Sequence, residues 1–155
     1  MERVYIESTI PSYLTANPSS DLIAAARQLA TKSWWEEERL LYELFTSQVV
    51  IVECQQGDAE AAEKRLEAIA DIPVLEISEE MTELAALIFE RLGIPDRARD
   101  DALHIAIACV HEMDYLLSWN FKHIVNASLI KKLRVITQET GYYLPQICTP
   151  EELIP

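Results

Sequence analysis

Asp101-Ala102-Leu103-His104-Ile105-Ala106-Ile107-Ala108-Cys109-Val110, followed after a short polar break by Tyr115-Leu116-Leu117-Ser118, is the stretch that decides the fold. Its first part is apolar on nearly every helical face, so a helix there is buried and not merely amphipathic. Its second part is a short run of strand composition. Upstream, Asp96 reads as the cap of this helix, and Gly93-Ile94-Pro95 ends a preceding one that runs from Ser78 to about Leu92. Glu79 and Glu80 fall in the first turn of that helix, where negative charge is favoured. Val74-Leu75-Glu76-Ile77 reads as a third strand, and Asp58 caps an amphipathic helix over Ala59–Ile69. Val49-Val50-Ile51-Val52 is a continuous β-branched run, the pattern of a strand covered on both faces. From Asp21 to about Phe45 apolar residues recur at helical spacing, with Lys32-Ser33 as a point of division. Val4-Tyr5-Ile6 reads as the first strand, and Pro11 ends any ladder it enters. Downstream, a helix over Ala127–Leu133, a strand-like Val135-Ile136, and a Pro-punctuated tail from Ile147 to Leu153 complete the chain.

Strands therefore alternate with helices almost throughout, the signature of a parallel sheet of four to five strands with helices on both faces. The 155 residues, half of them hydrophobic, suffice for one domain spanning 1–155 with its own core. No apolar run approaches the ~18 residues of a membrane span. No leader precedes the first strand, so a cytoplasmic protein is expected. The three cysteines, Cys54, Cys109 and Cys148, have no paired spacing and support neither a disulfide framework nor a zinc site. A formal net charge of −13 opposes a broad nucleic-acid surface. It suits carboxylates that hold cations, and a local basic patch remains open around Lys122, Lys131, Lys132 and Arg134, with Arg97 and Arg99 elsewhere.

In open α/β sheets, sites collect beyond the carboxyl ends of the strands. Glu7 directly follows the first expected strand, Glu53 the second, and Asn120 comes two residues after the fourth. Asp101 stands at the head of the buried helix, where free backbone N–H groups and the helix dipole favour a carboxylate. Glu7 or Glu53 alone reads equally well as a solvated glutamate. Together, clustered carboxylates repel unless a proton or a cation holds them. Hard oxygen ligands in an incomplete shell suit Mg²⁺, or Mn²⁺.

Tyr5-Ile6-Glu7-Ser8-Thr9, Glu53 with Gly57 four residues on, Asp101-Ala102-Leu103-His104-Ile105-Ala106, and Leu116-Leu117-Ser118-Trp119-Asn120 together resemble the PIN domain. The resemblance is to VapC-like proteins, the toxin ribonucleases of type II toxin–antitoxin pairs, and within them to a subgroup opening on Ile-Glu-Ser/Thr. It spans essentially the whole chain and implies a three-layer PIN-like fold. It implies a metal-dependent endoribonuclease that uses Glu7, Glu53, Asp101 and Asn120 as catalytic and metal-binding residues with Mg²⁺ or Mn²⁺. It further implies an RNA substrate, a cognate antitoxin and a homodimer. The family usually presents aspartate where this chain has Glu7 and often where it has Asn120. Glu7 keeps the charge; Asn120 does not, which weakens the metal site and leaves open a catalytically weak module that binds RNA or a protein partner.

Among the remaining residues, Thr9 can offer a hydroxyl to a phosphate or to its own turn. Trp119 is the aromatic placed for base stacking, with Lys122 beside it for phosphate. His104 reads as a core histidine in place of a metal ligand, His111 as a histidine of the last helical turn, and His123 as a surface residue. Of Trp34 and Trp35, one is expected in the core and the other exposed.

Overall fold

A computed structural model describes all 155 residues. Five strands form one all-parallel sheet in the order β3-β2-β1-β4-β5, where β1 is Glu2–Ile6, β2 Tyr42–Ser47, β3 Val74–Leu75, β4 Tyr115–Leu117 and β5 Gln146–Cys148. Parallel neighbours need crossovers, and the chain supplies them as helices: α1 Thr9–Thr15, α2 Leu22–Ser33, α3 Gln48–Cys54, α4 Ala59–Ile69, α5 Glu79–Leu92, α6 Arg99–Val110 and α7 Ala127–Thr140. Strand β1 lies at the centre, with Tyr5 beside Phe45 of β2 on one side and Leu116 of β4 on the other. The strand order turns outward in both directions from β1, so the switch point lies at the carboxyl ends of β1 and β4. One cluster of 32 buried residues forms the core, with Val4, Tyr5 and Ile6 of β1 and Ile105 to Cys109 of α6 fully inside it.

Four stretches depart from the sequence expectation. Val49-Val50-Ile51-Val52 is helical, within α3, and the second strand is the preceding Tyr42–Ser47. The Ser47 side chain accepts the Val50 N–H and caps α3, so the chain turns into a helix before the β-branched run begins. Glu53 therefore sits in the last turn of a helix and not at a strand end. The expected helix to Phe45 instead stops at Ser33, passes through a π-helical turn over Trp34–Glu38 and a 3₁₀ turn over Arg39–Leu41, and enters β2. Trp34 is buried in this turn, while Trp35 packs partly exposed under the Arg39 guanidinium at 4.3 Å. Val135 and Ile136 continue α7, whose buried residues Leu133, Ile136 and Thr137 share one helical face. The fifth strand comes from the tail, and a 3₁₀ turn over Pro150–Leu153 follows it, with Thr149 and Glu152 forming a capping box.

The cap expectations divide. Asp58 accepts the Ala61 N–H as expected. Ser78 occupies the cap position of α5 without a cap bond. Asp96 lies in a 3₁₀ turn before α6 and pairs with Arg99 instead.

Candidate active site

Glu7, Asp101 and Asn120 meet at the switch point, and α3 brings Glu53 to them. Glu7 follows β1 directly, its backbone N–H bonded to Leu117 O of β4, and only 2% of its surface is exposed. A carboxylate so buried must be hydrogen-bonded. Glu7 Oε1 accepts the Thr9 N–H at 3.2 Å, the Thr9 hydroxyl at 2.5 Å and the Ser118 hydroxyl at 2.6 Å; Oε2 accepts the Ser8 hydroxyl at 2.9 Å. Oε1 is saturated, and Oε2 keeps one lone-pair direction free.

Asp101 is in the first turn of α6, with Oδ2 bonded to His123 Nδ1 at 3.0 Å. Burial raises its pKa above the ordinary carboxylate value; hydrogen bonding with Asn120 and the charges of His104 and His123 oppose this, and the charge of Glu7 adds to it. Glu53, with its side chain 24% exposed, bonds through Oε1 to His104 Nε2 at 2.6 Å. Ligand atoms of Glu7, Glu53 and His104 all lie within 4.8 Å of one another. Each of the three carboxylates is thus anchored within the protein: Glu7 through both oxygens, Glu53 through Oε1 to His104, and Asp101 by His123 and Asn120. No Lys or Arg pairs with any of them. The donor set, oxygen-rich and anionic, fits a hard divalent cation of the Mg²⁺ or Mn²⁺ kind.

Asn120 adjoins Asp101, but its amide oxygen accepts the His123 backbone N–H at 3.0 Å. That leaves its amino group as the donor toward Asp101. Thr9 donates to Glu7 and accepts the Trp119 N–H at 2.8 Å, so its hydroxyl holds the turn together. Trp119 corrects the stacking expectation. It is 5% exposed, its indole N–H is donated to Thr31, and Tyr13 and Phe121 pack against its ring. Phe121 is the exposed aromatic at this rim, with Arg27 over its ring at 4.9 Å. Lys122 is exposed on the same turn and makes no ion pair.

Sequence reasoning missed four supports of the site. His104 is indeed fully buried, yet it bonds to a site carboxylate; its spacing of three from Asp101 places both on one helical face, which was the available signal. His123 is tied to Asp101 and is not a free surface residue, while Ser8 and Ser118 carry no signal beyond adjacency to Glu7 and Asn120. Cys54, next to Glu53, is kept a thiol by burial, which raises its pKa to about 11.

A family model described as the PIN domain matches residues 4–120. No curated protein sequence matches. Among solved structures, the chain resembles one described as VapBC2 from Rickettsia felis bound to a DNA fragment from their promoter. The TM-score is 0.54 at 12% identity, over 95% of this chain and 98% of that one. At that identity the likeness is one of fold.

Proposed function

The chain belongs to the PIN domain family, and on that premise we propose that it is a metal-dependent ribonuclease, the toxin of a type II toxin–antitoxin pair. PIN domains are generally nucleases. The observation that carries the reading is the gathering of Glu7, Glu53 and Asp101, from three parts of the chain, at the switch point of the sheet: ligand atoms of Glu7 and Glu53 lie within 4.8 Å, Asp101 feels the charge of Glu7, and each carboxylate is anchored by hydrogen bonds. Glu7, Glu53 and Asp101 would hold Mg²⁺ or Mn²⁺. Bound there, the ion supplies a water of lowered pKa and offsets charge developing on the scissile phosphate. The protein's own part is positional. Ser8, Thr9 and Ser118 fix the Glu7 carboxylate, His104 fixes Glu53 and His123 fixes Asp101, so little rearrangement is needed when phosphate arrives. Asn120 acts as an amide donor beside Asp101 and lowers the charge of the site by one relative to a fourth carboxylate.

RNA is the substrate the family suggests. Lys122 and Phe121 at the rim offer a cation and an exposed ring to a single strand. The exposed Leu22, Ile23 and Leu29 of α2 suit a protein partner, a cognate antitoxin or a second copy in a homodimer. No helix is long and apolar enough to cross a membrane. A second reading, a catalytically weak module that binds RNA or protein, draws support from Asn120, whose oxygen faces the His123 backbone. The deciding experiment is cleavage of a mixed RNA pool with Mg²⁺ or Mn²⁺ by native protein and Asp101→Ala. Metal-dependent cutting that disappears in the variant supports the nuclease; folded native protein that cuts nothing with either metal supports the binding module.

A further inference from the structure

Beneath the three carboxylates runs a second chain of polar side chains, fully buried and drawn from the same part of the fold. Ser47, the cap of α3, meets the Tyr5 hydroxyl at 2.7 Å; that hydroxyl meets His104 Nδ1 at 2.7 Å; and His104 Nε2 meets Glu53 at 2.6 Å. Tyr5 lies two residues before Glu7 and on the same face of the extended β1. His104 lies three residues after Asp101 on α6, and Ser47 opens the helix that ends at Glu53. Each element that carries a site carboxylate therefore contributes one member to the buried chain.

We infer that His104 is a positioning residue: it holds Glu53 through Nε2–H and so fixes which Glu53 oxygen faces the crevice, with Tyr5 and Ser47 setting the ring. An ionised carboxylate only accepts hydrogen bonds, so the 2.6 Å contact requires a proton on Nε2. With a neutral ring, Nδ1 accepts from Tyr5, whose oxygen accepts from Ser47. With a charged ring, Nδ1 donates to Tyr5, and the Tyr5 proton turns to Ser47. Both arrangements keep Nε2–H on Glu53 and the Tyr5 hydroxyl bonded on both sides, so the device is a holder whose geometry survives either state. Packing alone would not need it: an apolar side chain of similar volume fills a buried position without burying three further polar atoms. The consequence for metal binding rests on the nuclease reading, whereas the hydrogen bond itself does not.

Two measurements separate these. In ¹⁵N-labelled, metal-free native protein, nuclear magnetic resonance of the His104 ring should show a slowly exchanging Nε2 proton that exchanges rapidly in Glu53→Ala. Absence of that proton, or equal exchange in both proteins, overturns the inference whether or not the protein is a nuclease. Calorimetric titration with Mn²⁺ should give about tenfold or greater weakening in His104→Leu, as loss of an outer-shell partner of a metal ligand does. His104→Gln keeps an N–H near the Nε2 position and should remain within about threefold of native, with Tyr5→Phe between the two. Equal losses in the Gln and Leu variants, or displacement of the Nε2 proton by Mg²⁺, would make His104 a ligand and refute the positioning role. So would no loss in any variant. If His104→Leu does not fold, the Gln and Tyr5→Phe titrations and the exchange measurement still decide. Native protein that takes no Mn²⁺ removes the nuclease reading and leaves the exchange measurement to judge the bond.

Discussion

Replacing Glu53 with Gln distinguishes a metal site from a structural ion pair, because the two assign it different consequences. Without metal, the change removes a repulsion. Ligand oxygens of Glu7 and Glu53 lie within 4.8 Å, where like charges at an effective dielectric of 20 repel by roughly 3–4 kcal/mol gross. Solvent reaching Glu53, whose side chain is 24% exposed, screens much of that. The change also turns the charge-assisted bond from His104 into a neutral one, a loss of about 1–2 kcal/mol. The two effects oppose each other, and metal-free stability should stay within about 1 kcal/mol of native. Metal then separates the proteins. At a Mg²⁺ concentration about 100 times its Kd, native protein gains about 2.7 kcal/mol, and a variant that binds about 100-fold more weakly gains only ~0.4 kcal/mol. Urea unfolding in EDTA and in Mg²⁺, with the slope checked for constancy, measures both quantities. A loss of about 3 kcal/mol or more in EDTA is what removal of one partner from a buried structural pair produces. That result, or equal Mg²⁺ gains in the two proteins, would refute the reasoning.

Burial alone would lower the pKa of His104, but the hydrogen bond to Glu53 and the charges of Glu53, Glu7 and Asp101 raise it above the ordinary 6.5. A raised histidine contributes stability fully present below its unfolded value and lost as pH rises through the folded one. Metal-free urea midpoints should therefore fall as pH climbs above 6.5, and Glu53→Gln should flatten that fall. Asp101 carries the same sign: raised above 3.8 chiefly by burial, it favours the folded state while protonated and opposes it once ionised, so the loss of metal-free urea stability as pH rises from below 3.8 through its folded value should be smaller in Asp101→Leu than in native protein, and an equal loss in the two would refute it. Asn120→Asp keeps an oxygen for the His123 N–H and adds a charge beside Asp101, so Mn²⁺ affinity should rise while metal-free stability falls by about 1–2 kcal/mol; calorimetry and urea unfolding check the pair. Ile105→Ala, in the fully buried face of α6, should cost about 2–5 kcal/mol in urea unfolding at unchanged slope.

The sequence made the centre of the molecule legible and its margins less so, for a physical reason. Helices α4, α5 and α6 and strands β1 and β4 carry strong periodic or uniformly apolar patterns, so tertiary context agrees with local preference. Val49 to Val52 show the reverse. Their β-branched side chains favour a strand, yet the Ser47 cap and the pairing of Tyr42 to Phe45 with β1 commit the preceding segment to the sheet. The run then has to fold as a helix that closes toward the crevice. Strand β5 opens on the polar Gln146 and is framed by Pro145 and Pro150, which mask it in the sequence, and Val135-Ile136 looks like a strand only when read apart from Leu133 and Thr137. The same division holds at the site. Glu7, Asp101 and Asn120 follow from strand and helix ends, which sequence locates well. Their partners Ser118 and His123 are set by packing across distant segments, which sequence locates poorly.

The anchoring of the carboxylates also bears on how so acidic a chain could approach a phosphodiester. With a net charge of −13, the protein repels a polyanion over most of its surface. At the crevice the three carboxylates would do so most strongly, and no Lys or Arg side chain pairs with them. His104 holds one oxygen of Glu53 and His123 one of Asp101, while Ser8, Thr9 and Ser118 hold Glu7. These bonds fix the direction of each group without a formal positive charge from Lys or Arg to cancel it. A divalent cation would meet both requirements at once: it would answer the carboxylates and offer a phosphate a positive partner in the same place. On this view Asn120 is consistent with function, because each carboxylate fewer lowers the repulsion that the substrate must overcome, at the expense of affinity for the ion.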